Sequence, residues 1–102
     1  MLTDAAIAAM RSYLIRSIDH AQYTVDGEDY HKTHHAVIQS AEVMPDGRAA
    51  FTLMLNPGVS GEVTHIALRD RNNTPWAEHD ERITCRPDEG ILYRFRVALD
   101  KE

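Results

Sequence analysis

From Gly90 to Leu99 the side chains alternate: Tyr93, Phe95, Val97 and Leu99 fall on one side of an extended backbone, Arg94 and Arg96 on the other. A period of two sustained over that length reads as a β-strand with one buried and one solvated face. Such a strand constrains the rest of the chain. It needs neighbours to pair its backbone groups, and other apolar faces to cover its own.

The remaining sequence supplies them. Arg48 to Leu55 alternates with Phe51, Leu53 and Leu55 on one face, and Val63 to Asp70 places Ile66 and Leu68 inward. His35 to Val43 reads as a further strand. Asp26-Gly27, between Tyr23-Thr24-Val25 and Glu28-Asp29-Tyr30, carries the two-residue hairpin signal. Short segments follow around Trp76 and over Arg82 to Arg86, the latter with Ile83 and Cys85 on one side. Met44-Pro45-Asp46-Gly47, Asn56-Pro57-Gly58, Arg71-Asn72-Asn73-Thr74 and Pro87-Asp88-Glu89-Gly90 punctuate these segments as turns. No helix-length stretch separates the strands, which argues against a parallel sheet. The expected fold is mainly β: an antiparallel sandwich or open barrel of six to seven short strands. Phe51, Leu53, Ile66, Leu68, Tyr93, Phe95 and Val97 form its expected core.

The first nineteen residues follow a different rule. Thr3 or Asp4 can cap a helix, after which Ile7, Met10, Leu14 and Ile18 recur at helical spacing with Ala5, Ala6, Ala8 and Ala9 among them. The spacing predicts a helix over roughly residues 3–19, ahead of a β region over 20–102, within one domain. An amphipathic helix is held mainly by packing its apolar stripe. The stripe of Ile7, Met10, Leu14 and Ile18 therefore covers either the chain's own sheet or a protein partner, a second copy included, and the sequence leaves both open.

Composition narrows the function. Eleven Lys and Arg against sixteen Asp and Glu leave a net charge of −5 in 102 residues, so no basic surplus favours nucleic acid. No apolar run approaches the ~20 residues of a membrane-spanning helix, and the N-terminus lacks a signal-peptide pattern. The single cysteine, Cys85, cannot form an internal disulfide, so a reducing cytoplasm is the expected compartment.

The candidate chemistry is thin. His31, His34 and His35 lie close enough in sequence to offer metal-ligating nitrogens. They match no known zinc spacing, and His34 and His35 point to opposite faces of an extended chain, so polar residues of a loop entering a strand is the weightier reading. Cys85 alternates with Ile83 toward the interior, where a thiol behaves as a small hydrophobe rather than a nucleophile. Glu78, Asp80, Glu81, Asp88 and Glu89 read as solvated carboxylates in turn segments rather than an acid–base pair. Arg94 and Arg96 oppose Tyr93 and Phe95 across the strand, whereas single-stranded nucleic acid needs both kinds on one face. No catalytic residue or cofactor is assigned.

The segment Val63-Thr64-His65-Ile66-Ala67-Leu68-Arg69-Asp70, its turn to Trp76, then Arg82-Ile83-Thr84-Cys85 and Gly90-Ile91-Leu92-Tyr93-Arg94-Phe95-Arg96-Val97, resembles small bacteriophage and prophage tail-associated β proteins. Those chains carry a strand ending in Leu-x-Asp, a turn, a short strand and a closing Gly-x-x-Tyr-x-Phe stretch. Asn72-Asn73 stands where such turns often have glycine. The resemblance implies a structural or adhesive role, with virion association, and transfers no catalytic residues. The leading expectation is a non-enzymatic structural or protein-interaction module of a phage tail or its assembly apparatus. The alternative is a small-ligand- or metal-binding domain using the histidines and Trp76.

Overall fold

The computed structural model describes residues 3–26 and 32–98. The described residues form one helix and six strands: α1 (Asp4–Ser17), β1 (Ile18–Asp26), β2 (Lys32–Val43), β3 (Ala49–Leu55), β4 (Gly61–Asp70), β5 (Pro75–Cys85) and β6 (Ile91–Val97). All neighbouring strands are antiparallel, in the order β5-β4-β1-β2-β3-β6, and the sheet curls into a nearly closed barrel. The mainly-β expectation with an N-terminal helix holds, and the barrel rather than the sandwich is the observed form. Asp26 ends β1, while the rest of its expected hairpin turn from Gly27 on, with His31 and Leu99, lies outside the described residues. No described helix is long and apolar enough to cross a membrane.

Thr3 caps α1, its hydroxyl accepting the Ala6 N–H at 3.1 Å. The helix ends at Ser17, two residues earlier than its apolar spacing predicts. Ile18 is already extended, at φ −72° and ψ 124°, and pairs with Asp70 of β4. As a β-branched residue Ile18 suits the strand, where ladder pairing and burial replace another helical turn. The expected helical stripe is thus divided. Ile7 and Leu14 are buried from the helix and Ile18 from β1, while Met10 stays 43% exposed. The chain's own barrel covers most of that stripe.

β5 corrects a second expectation. The two short segments around Trp76 and Ile83 form one strand, and Glu78, Asp80 and Glu81 lie on it rather than in turns. Glu78, Asp80 and Arg82 face solvent, alternating with half-buried Ala77, His79, Glu81 and Ile83. His34 likewise belongs to β2, which starts at Lys32, ahead of the His35 start expected from the sequence. Asp88 and Glu89 remain on the exposed turn after β5, where the Glu89 N–H reaches the Arg86 carbonyl.

The core joins Tyr23 and Val25 of β1 to Phe51, Leu53 and Leu55 of β3, Val63, Ile66 and Leu68 of β4, Cys85 and Phe95. Of the expected core residues, Tyr93 and Val97 are half-buried at its margin. Left-handed backbone serves several of the turns. Asn73, at φ 64°, turns β4 into β5, while Gly47, at φ 91°, turns β2 into β3. A Cβ on Gly47 would stand 2.8 Å from Arg11 Nη2, so this turn also seats a helix side chain.

Candidate functional site

The barrel's end strands, β5 and β6, are not hydrogen-bonded neighbours; side chains bridge them. His79 stacks on Phe95 with ring centroids 4.0 Å apart and planes 6° apart. The Tyr93 hydroxyl donates to the Glu81 carboxylate and lies 3.4 Å from His79 Nδ1. Because the single phenolic proton goes to Glu81, the His79 contact requires an Nδ1–H donor. Burial, with the Glu81 carboxylate alongside, pushes the Tyr93 pKa well above the usual phenol range. This phenol is a fixed donor that closes a seam, not a proton acceptor.

On the outer face His65 lies between two carboxylates of β5, Nδ1 at 2.9 Å from Asp80 and Nε2 at 3.1 Å from Glu78. Hydrogen bonding to both at once needs both ring nitrogens protonated, which is the imidazolium form. The Asp80 bond foremost raises the His65 pKa above 6.5; burial opposes it, and the Glu78 bond adds to the rise. Nearby, His20 Nδ1 meets Asp19 at 2.9 Å and its Nε2 meets the Asn73 side-chain oxygen at 3.1 Å, an oxygen that also accepts from Gln22.

Of the histidines singled out from sequence, the two described ones, His34 and His35, do not converge. His34 turns inward and stacks on Tyr23 at 5.2 Å, whereas His35 is exposed beside His20 at 5.4 Å. Among the described residues no group of three or more His, Cys, Asp or Glu side chains is arranged to hold a metal ion. Cys85 is buried, its thiol 3.5 Å from the Val59 carbonyl. Arg94 pairs with Glu42 on the outer surface, with Tyr93 and Phe95 on the opposite face of β6.

A mainly apolar hollow lies where α1 crosses one end of the seam. This groove, of about 370 Å³, is lined by Ala9, Met10, Tyr13, Leu14, Trp76 and Val97. Tyr13 and Trp76 face each other at 5.7 Å and remain 58% and 40% exposed. The β4–β5 turn anchors the indole. Asp70 accepts Trp76 Nε1–H at 3.0 Å with one carboxylate oxygen and the Asn72 and Thr74 N–H groups with the other. Those bonds, Trp76's first, hold the Asp70 pKa below the usual carboxylate range. Across the aromatic pair, which the two share, lies a separate polar hollow of about 320 Å³ with Arg16, Asp70, Arg71 and Asn72 on its walls. Trp76 is visible to sequence reasoning as a ligand-contact candidate. Tyr13 is not, although its i,i+3 spacing from Met10 marks the helix face it shares. A further hollow, of about 580 Å³ beside β4 and β5, is walled by Asp26, Glu62, Thr64, Asp80, Glu81 and Arg82.

No protein-family model, curated protein or solved structure matches this chain.

Proposed function

We propose that the chain is a non-enzymatic protein-interaction module and that it holds a segment of a partner protein in the groove between α1 and the end of the β5–β6 seam. The exposed Met10–Tyr13–Trp76 surface carries this reading. Large aromatic side chains held rigidly at the rim of an apolar hollow are the usual anchors of protein interfaces. The polar groups elsewhere favour structural roles: Glu81, Tyr93 and His79 bridge the seam, and His65, Glu78 and Asp80 tie β4 to β5. The likeness of residues 63–97 to phage and prophage tail-associated β proteins supports placing that partner in a tail or its assembly apparatus.

A photo-crosslinking residue at position 13 tests the reading in a host that carries the gene. It should trap a discrete partner that the same probe at exposed Leu92 does not, and Met10→Glu should abolish the adduct. Equal or absent crosslinking from both positions refutes the docking surface. A trapped partner unrelated to tail structure refutes the tail placement alone.

A further inference from the structure

We infer that the segment taken by this groove is acidic: an apolar side chain entering between Tyr13 and Trp76, with carboxylates beside it meeting Arg16 and Arg71. The inference rests on the docking role proposed above and adds the chemistry of the partner.

It follows from a contrast of charge. The chain as a whole carries −5, yet the polar hollow that adjoins the groove across Tyr13 and Trp76 presents two exposed guanidinium groups. The one carboxylate among them, Asp70, has both oxygens engaged by Trp76, Asn72 and Thr74. Arg16 gives its Nε–H to the Ser12 carbonyl at 3.3 Å, which fixes the stem of the side chain while the terminal nitrogens stay at the surface. Guanidinium groups pair with carboxylates through parallel N–H donors, and such charge-assisted bonds exceed neutral ones in strength. A basic segment would meet repulsion at the same place. Size points the same way: about 370 Å³ suits one or two large side chains of an extended segment.

Trp76 is the only tryptophan, so its fluorescence reads the groove directly. The full chain is titrated with three short synthetic peptides that share a central Leu-Phe pair and are flanked by Asp and Glu, by Gln, or by Lys. The acidic peptide should bind about tenfold tighter than the Gln peptide. That advantage should shrink as salt rises from ~50 mM to ~500 mM. The double variant Arg16→Gln, Arg71→Gln should lose it while still binding the Gln peptide as the parent does.

Equal affinity for the acidic and Gln peptides, with a Trp76 response to both, leaves the docking role standing and refutes the charge inference. No Trp76 response to any peptide refutes both. A dimer in sedimentation that Tyr13→Glu dissolves makes a second copy the occupant, and the inference fails. It fails equally if removing residues 99–102 alone makes Trp76 more accessible to acrylamide, because the occupant is then the chain's own segment.

Discussion

Truncating Phe95 to alanine tests the barrel core and its seam together. The Phe95 ring is fully buried, stacks on His79 at 4.0 Å, meets Tyr93 edge-on at 6.2 Å, and belongs to the residue paired with Phe51 across β3 and β6. Losing a buried phenylalanine costs roughly 3–5 kcal/mol in transfer and cavity terms. The ring contacts contribute about 0.5–1.5 kcal/mol beyond area, so the upper half of that range is expected. A domain of this size has only about 5–15 kcal/mol in total, and each kcal/mol shifts the melting temperature by roughly 4–8 °C. Phe95→Ala should therefore lower the melting temperature by at least about 16 °C, and lower the urea midpoint without changing the slope. Leu92→Ala serves as a control on the same strand. Leu92 is 65% exposed, so its truncation should stay within about 0.5 kcal/mol. A Phe95→Ala loss below about 1 kcal/mol would mean that the inward face of β6 is wrongly assigned.

Tyr93→Phe leaves Glu81 and His79 without their shared partner at the half-buried seam and should cost about 1–3 kcal/mol in chemical denaturation. Ultraviolet absorbance should show Tyr93 ionising only well above the ordinary phenol pH, at or after unfolding. Because the folded pKa of His65 is raised above 6.5, its contribution is fully present below pH 6.5 and disappears as pH rises through the higher folded value. The parent should thus exceed His65→Gln in stability by up to about 1 kcal/mol in mildly acidic buffer and lose that margin in alkaline buffer, given the partial exposure of the site. An NMR midpoint for His65 at or below 6.5 would contradict this. Gly61→Ala puts a Cβ 2.2 Å from the Asp26 carbonyl oxygen, so β1 and β4 must separate locally; a loss of about 1–3 kcal/mol is expected on thermal unfolding.

What the sequence discloses of this fold depends on which residues face inward. β3 and β6 are legible because Phe51, Leu53, Leu55, Phe95 and Val97 keep an apolar period of two. β5 is not, because its inward positions include His79 and Glu81, whose polarity breaks the period. They are tolerated inside because Tyr93 and Phe95 receive them from β6. The end of α1 is ambiguous for a related reason: Ile18 satisfies helical spacing from Leu14 and strand spacing toward His20 alike. Only its pairing with Asp70 decides the matter. His34 and His35 show the reverse, since closeness along a strand sends successive imidazoles to opposite faces. The groove is the least legible feature, because the helix brings Tyr13 to a tryptophan placed by a distant turn.

The order of the strands also bears on how the barrel is made. β1, β2 and β3 form a meander of successive neighbours, but β4 must return to the far side of β1 and β6 to the far side of β3. During synthesis the meander emerges first, so β3 carries an open edge until Ile91–Val97 has left the ribosome. An open edge of paired-strand geometry is a template for wrong pairing, most of all while a chain is incomplete. Arg94 and Arg96 along the last-made strand counter that hazard by keeping its outward face charged while it finds β3.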